Sequence, residues 1–559
     1  MRLPLRLVLP AFSLATVAWA ADETFPVTIR VEAAKTHGEL KPIYRFFGAD
    51  EPNYATMKDG RRLLKDIGEL GAPQEYFRAH NLLTSGDGTP ALKWGSTDVY
   101  HEDAQGNPSY DWKILDRIFD AYLKAGVKPY VEIGFMPEAL STHPQPYQHE
   151  FRVGVGGNLY TGWAYPPKDY AKWGELVYQW VKRSVDRYGA AEVEQWYWEV
   201  WNEANIGYWK GTPEEFFKLH DYAIAAVRRA LPTARVGGPD SAGDGGKFMQ
   251  DFLEHCLHGT NFATGEKGTP LDFLSFHAKG QTPTFPDGHV RMGLQAQLRG
   301  IDTAFRRFAS IPELKGKPII IGESDPDGCA ACQGPAFAYR SSTMYSSYTA
   351  AAFARKQLLA EKHGVNLEGA LTWGFEFEDQ AFFALFRVMS TNGLTLPVFN
   401  THRMMAKMSG QRIDAISSAD VGVENIIKSG VRGAPDVAAL ASFDVAKRQL
   451  AVLVWHYHDD DVPGPAAAIA LTVAGLPADA TAPKLTHYRV DATHSNAYTV
   501  WQSQGAPIAP SRAQYAQLEA AAQLGLLENA PANATVERGE AALNFTLPRQ
   551  AVSLVVLAW

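Results

Sequence analysis

The chain has 559 residues, a net charge of −8, 46% apolar and 20% charged residues. That length exceeds one ordinary core and predicts a soluble protein of two domains. The charge is mild and no dense Lys/Arg block occurs, which argues against a nucleic-acid partner. The 14 Trp and 23 Tyr read either as large cores or as rings for stacking on sugars.

In chain order, the first feature is an export signal over 1–20. Arg2 and Arg6 are followed by the apolar run Leu7 to Val17 and by Ala18-Trp19-Ala20, a small-x-small cleavage pattern. No other stretch is apolar enough to span a bilayer, so a secreted or periplasmic protein without a membrane partner is expected. The strand-like segment Phe25–Ala33 falls in 21–36 and is assigned to a distal sheet.

From 37 to 407, strand-like runs alternate with amphipathic helices. The strands are Tyr44–Gly48, Glu75–His80, Lys128–Phe135, Val193–Asn202, Ala234–Pro239, Leu271–His277, Pro318–Glu323 and Leu367–Phe375. Helices are predicted at Asp111–Ala125, at Tyr170–Tyr188, and after Thr212-Pro213-Glu214-Glu215. That last segment combines a capping box with Pro at the first helical position. Eight βα units in about 370 residues suit a closed (β/α)8 barrel better than a doubly wound sheet. No Gly-rich phosphate loop follows the first strand. Beyond 408, short strands at Val437–Phe443, Gln449–His456, Ala468–Val473, Lys484–Val490, Leu543–Leu547 and Val552–Trp559 predict an antiparallel β-sandwich.

Reactive groups of such a barrel sit at the C-terminal ends of its strands. Two strands end there in a carboxylate, Glu203 in Trp201-Asn202-Glu203 and Glu323 in Ile321-Gly322-Glu323. Period-two alternation would put Glu199, Trp201 and Glu203 on one face. A lone strand-end acid is most often structural, but two of them on the fourth and seventh strands match what glycosidic cleavage requires. One acid protonates the leaving oxygen and the other carboxylate faces the anomeric carbon. An ionised Glu323 is expected to raise the pKa of Glu203 and keep it protonated near neutral pH. Glu199 reads as a structural partner of an Arg.

Other motifs carry less. Cys329 and Cys332 read as a local disulfide and Cys256 as a lone thiol. His456, His458 and Asp459–Asp461 read as a solvated loop rather than a metal site. No HExxH, Walker or GxSxG motif occurs, and neither metal nor cofactor is predicted.

Several segments together resemble glycoside hydrolase family 39, whose members include β-xylosidases and α-L-iduronidases. They are Tyr76-Phe77-Arg78-Ala79-His80-Asn81, Trp201-Asn202-Glu203-Ala204-Asn205, Ser275-Phe276-His277-Ala278-Lys279-Gly280, Gly322-Glu323-Ser324 and His494-Ser495-Asn496-Ala497-Tyr498. The resemblance implies a retaining exo-enzyme with Glu203 as acid/base and Glu323 as nucleophile. It further implies that Asn202 binds the sugar 2-hydroxyl, that His80 and His277 hold hydroxyls, and that Trp373 walls the ring. Phe135 and Glu138 are weaker pocket candidates. Arg78 reads as a buried ion-pair partner, and Lys279 as the cation a uronic acid would need. The segments Phe375–Gln380 and Asp325–Gly328 depart from the xylosidase pattern.

The leading expectation is a β-xylosidase acting on xylo-oligosaccharides. The alternatives are an α-L-iduronidase-like or α-L-arabinosidase activity, and, in another class, a non-catalytic carbohydrate-binding protein.

Overall fold

The computed structural model describes residues 23–559 except 72, 153–156, 330, 331, 333, 375, 376 and 384–388. The segment 1–20, and Phe375 and Glu376, therefore lie outside the described residues. Eight parallel strands close into a (β/α)8 barrel in sequential order. They are Phe46–Ala49, Tyr76–Ala79, Lys128–Ile133, Tyr197–Val200, Arg235–Ser241, Phe273–His277, Pro318–Glu323 and Asn366–Trp373. The eighth strand pairs with the first through Trp373 and Gly48. Among the described residues no helix is long and apolar enough to cross a membrane.

Alternation along each strand fills the barrel in layers. Phe46, Tyr76, Tyr130, Tyr197, Phe273, Ile320 and Leu371 form a dry lower layer. Two residues further along the same strands come Gly48, Arg78, Glu132, Glu199, Ser275, Gly322 and Trp373. That step turns the filling from apolar to ionic. The helix Pro213–Ala230 starts at the predicted capping box, with Thr212 and Glu215 side chains each satisfying the other's main-chain N–H.

The second unit is one sheet of ten strands. The antiparallel prediction fails at one place, where Thr24–Glu39 runs parallel to Ala466–Ala474 and antiparallel to Gln411–Ser417. This strand arrives from the start of the chain rather than through a hairpin, so no tight turn imposes an antiparallel partner. The strand Gln449–Tyr457 is buried on both faces, with Leu450, Val452 and Val454 in the sheet's own core. Ala451, Leu453 and Trp455 instead join the barrel's core. Helices Ala497–Ser503 and Arg512–Ala521 lie in a region read as strands and turns alone. The capping box of Ser511 and Gln514 was their available signal.

The group His456 to Asp461 also departs from expectation, since His456, His458, Asp459 and Asp460 are buried rather than solvated. Arg291 of the sixth barrel loop holds Asp460 through two hydrogen bonds of 2.5 and 3.0 Å, and the Met292 N–H donates to the Asp459 carbonyl. These groups join the sheet to the barrel.

Leu453 packs beside Phe353 and Met405 at that junction. Leu453→Ala is expected to cost about 2–5 kcal/mol, as for a buried Leu that leaves a cavity. Chemical denaturation checks it, and a loss below half a kcal/mol would show that the two units are not packed as one core.

Candidate active site

The fourth strand ends at Val200, four residues before Ala204. Its predicted alternation does not continue, because Trp201 (φ 71°) and Glu203 (φ 44°) occupy the left-handed region. Trp201 turns outward, its indole N–H donating to the Tyr208 carbonyl, while Glu203 turns over the barrel mouth. Asn81 (φ 62°) and Asp240 (φ 48°) share this strained conformation. Such backbone costs about 1–3 kcal/mol per residue and survives where surrounding packing imposes it. On the seventh strand a register shift between Ile321 and Glu323 lifts the Glu323 side chain into the same space.

The two acids face each other there. The Lys279 ammonium lies 3.2 Å from Glu203 Oε1 and 2.5 Å from Glu323 Oε2. His277 Nδ1 lies 2.7 Å from Glu203 and 3.7 Å from Glu323. Donor atoms of Glu203, His277 and Glu323 all fall within 4.8 Å of one another. So close an approach of single oxygens suits the roughly 5–5.5 Å between the carboxyl groups of retaining glycosidases. A Glu–His–Glu set at this distance also has the donors of a divalent-ion site. Here a lysine ammonium already stands between the carboxylates, and a protonated imidazole offers no lone pair to a metal.

Beneath the acids lies a buried ionic layer. The Arg78 guanidinium contacts Glu132 at 2.9 Å, Glu199 at 2.9 Å, and Asp240. It thus pairs as its sequence context suggested, and Glu199 is structural. Asp240 receives His277 Nε2 at 2.6 Å, and Glu132 receives His80 Nδ1 at 2.5 Å. Burial, then the Asp240 charge, pushes the Glu199 carboxyl upward against the pull of Arg78. Burial alone would lower His277, but Asp240, Glu323 and Glu203 outweigh it and raise the imidazole to about 10.

Glu203 differs from expectation. Burial raises its pKa and so does Glu323, yet Lys279 and His277 overcome both, and the carboxyl lies below its ordinary range. Charge in the strand-end neighbourhood was legible, but two cations from the sixth strand's end outweigh one anion only in three dimensions.

The remaining candidates fall in place around this pair. Asn202 accepts from Arg78 at 3.2 Å through Oδ1, and its buried Nδ2 has no hydrogen-bond partner among the described residues. His80 Nε2 lies 3.8 Å from Glu323, and its ring is 4.6 Å from that of Trp373. Trp373 fits against Gly48, where a Cβ would come within 2.6 Å of the indole. Phe135 packs on His80 at 5.5 Å and on Trp163 at 4.5 Å. Glu138 is not brought to this centre; it takes a hydrogen bond from Gln145 and lines a separate cleft with Ser85 and Tyr147.

Sequence reasoning passed over Asp50 and Asp240, and read Asp325 only as part of an unfamiliar seventh loop. Asp50 follows its barrel strand's last residue, the same signal that singled out Glu323. Asp240 lies next to last in its strand and projects into space left by Gly322, where any Cβ would overlap its carboxylate. Asp325 accepts the Trp373 N–H at 3.0 and 3.1 Å and the Tyr345 hydroxyl at 2.8 Å, tying the seventh strand's end to the eighth. Cys329 and Cys332 form a disulfide next to this turn.

A closed barrel carrying two facing carboxylates on its fourth and seventh strands is the frame of a glycoside hydrolase. The sequence matches the glycosyl hydrolases family 39 over residues 27–535, and the chain belongs to that family. It is 35% identical to a β-xylosidase of Geobacillus stearothermophilus over 208 residues, which is 36% of each chain, so the likeness spans about a third of that relative. It is 25% identical to the α-L-iduronidase of Mus musculus over 547 residues, 91% of this chain and 77% of the relative. A solved structure described as the bacterial orthologue of human α-L-iduronidase shares the fold, with a TM-score of 0.75 at 20% identity, covering 95% of this chain and 84% of that one.

The raised His277 links stability to pH. Between its ordinary 6.5 and the folded value of about 10, the folded state holds a proton that the unfolded state releases. Its contribution is complete below pH 6.5 and is lost as pH rises through about 10. The denaturation midpoint should fall across this window, and a His277→Phe variant should lack that slope; an unchanged slope would refute the assignment.

Proposed function

We propose that the protein is a retaining exo-glycosidase that releases xylose from β-xylosides by double displacement. The observation that carries the reading is the approach of Glu203 and Glu323 to within 4.8 Å. Glu323 attacks the anomeric carbon while Glu203 delivers its proton to the glycosidic oxygen. Water then attacks the glycosyl ester on Glu323, and Glu203 takes the water's proton. In the free protein Lys279 holds Glu203 ionised. A sugar seated between the acids takes the ammonium's place, and burial, the largest influence on Glu203, then favours the protonated form needed for the first step. The Asn202 Nδ2, unpartnered among the described residues, suits the 2-hydroxyl, and Trp373 supplies an apolar floor.

The xyloside reading rests on likeness to the Geobacillus β-xylosidase. A second reading, a uronide such as an α-L-iduronide, is favoured by the Lys279 ammonium at the centre and by likeness to the mouse α-L-iduronidase. Turnover of an aryl α-L-iduronide above an aryl β-xyloside, abolished in Lys279→Met, would replace the first reading by the second. Export from the cytoplasm is part of the proposal, and a mature amino terminus at Ala21 would be its mark.

Treatment with a 2-deoxy-2-fluoro-β-xyloside should leave a covalent adduct on Glu323, seen by mass spectrometry of its peptide. An adduct elsewhere, or none with any fluoroglycoside, rejects the assignment. Glu323→Gly should lose at least about 10⁴-fold in kcat and regain part of it with azide, giving a glycosyl azide of inverted configuration. Glu203→Ala should lose far more on alkyl than on dinitrophenyl glycosides, because activated leaving groups need little protonation. Equal losses would remove Glu203 from the role of acid.

A further inference from the structure

Past Glu323 the chain carries two further buried carboxylates at alternate positions, Asp325 and Asp327. Asp325 ties the turn to the eighth strand. Asp327 has no part in the mechanism, yet it is densely held. The Arg340 guanidinium donates to its Oδ1 at 2.8 Å, and the Tyr339 hydroxyl donates to its Oδ2. Arg340 donates as well to the Cys332 carbonyl at 2.7 Å and to the Cys329 carbonyl at 3.4 Å. The Cys329 N–H returns to Asp327 Oδ1 at 2.7 Å. One guanidinium thus holds both cysteines of the disulfide and the carboxylate that precedes them. Arg340 and Asp327 are 1% and 3% exposed. Desolvation offsets much of the attraction within such a pair, so added stability is a weak reason for its presence.

What this fixed turn borders is Lys279. Gly328, between Asp327 and Cys329, is exposed on one side, and a Cβ placed on it would stand 3.2 Å from Lys279 Cδ. The main chain on either side of Lys279 is held by the same segment. The Ala278 N–H donates to the Glu323 carbonyl at 2.9 Å, and the Gly280 N–H to the Asp325 carbonyl at 3.0 Å. Gly280 also abuts Pro326, whose carbonyl a Cβ would meet at 2.4 Å. With its main chain pinned and its stem walled by Gly328, Lys279 places its ammonium 3.2 Å from Glu203 and 2.5 Å from Glu323. Among the described residues, the other titratable groups around those acids are His80, His277, Tyr160 and Tyr208.

We infer that Arg340 is a positioning residue for the glycosidase reaction: through Asp327 and the turn at Gly328 it confines the Lys279 side chain, so that the ammonium stands between Glu203 and Glu323 until a sugar displaces it. The inference rests on the double-displacement reading, in which the ammonium gives way to the sugar. Without the wall, the Lys279 stem can swing toward solvent, and Glu203 loses the cation that acts on it most strongly. Arg340 therefore acts on the free protein and not on the substrate complex, where the ammonium has already left.

The test follows kcat/KM and kcat against pH for an aryl glycoside, in the wild type, Arg340→Gln and Gly328→Val. The first quantity reports groups of the free protein and the second those of the substrate complex. A carboxylate that loses a neighbouring cation keeps its proton to higher pH. Both variants should therefore move the alkaline limb of kcat/KM upward by about one pH unit, about ten-fold in the proton affinity of Glu203. The alkaline limb of kcat should stay in place, a split that a merely structural role would not produce. A kcat/KM limb unmoved in both variants, or one that moves equally in kcat, overturns the inference. Should Arg340→Gln fail to fold, Gly328→Val decides, since its position is exposed. If no glycoside is cleaved, the double-displacement reading falls alone and a crystal structure of Gly328→Val reads the wall directly. The ammonium should then lie beyond hydrogen-bonding reach of Glu203 Oε1, and one still at 3.2 Å would refute the wall.

Discussion

One guanidinium, that of Arg78, sits without solvent contact among Glu132, Glu199 and Asp240. Three buried carboxylates around one cation are electrostatically unstable unless protons or further cations join them. The structure supplies both. His277 is held protonated by Asp240 and the two acids above, and the Glu199 carboxyl is driven toward its neutral form. Each histidine of the layer is thereby fixed in orientation, one ring nitrogen bound to a carboxylate below and the other edge turned to Glu203 or Glu323. Positions of the two facing acids depend on this layer, as loss of Arg78 would strip Glu132, Glu199 and Asp240 of the cation they share.

The dry aromatic layer beneath explains why the ionic layer can exist at all. Phe46 stacks on Tyr76 at 5.2 Å, and Tyr76 meets Tyr197 at 4.9 Å. These rings plug the barrel and shut out water from below. Charges above them interact in a low dielectric, where each misplaced group is costly and each satisfied one is rigid. Small residues then make room for large neighbours: Gly48 for the Trp373 indole and Gly322 for the Asp240 carboxylate. Strained backbone at Trp201, Glu203 and Asp240 is the accompanying cost of aiming side chains against strand alternation.

Much of this was legible in the sequence. Repeated apolar runs with helical periodicity between them predicted the eight strands, and each observed barrel strand overlaps its predicted one. The predicted strand-end positions of Glu203 and Glu323 marked them as candidates. Errors occurred where local pattern yields to distant partners. The parallel placement of Thr24–Glu39 is set by strands more than 350 residues away, which no local periodicity encodes. The group at His456 to Asp461 looks hydrophilic and therefore solvated, but Arg291 and the sixth barrel loop cover it.

By itself the sequence determined the barrel, the family resemblance and which carboxylates follow the fourth strand and end the seventh, because burial periodicity and position near a strand's end are local properties. Only the tertiary structure decided the distance between those acids and the cations interposed between them. Those features arise from side chains of different strands meeting at one end of a closed barrel, and proton affinity there follows from the sum of charges within a few ångströms, whatever their separation along the chain.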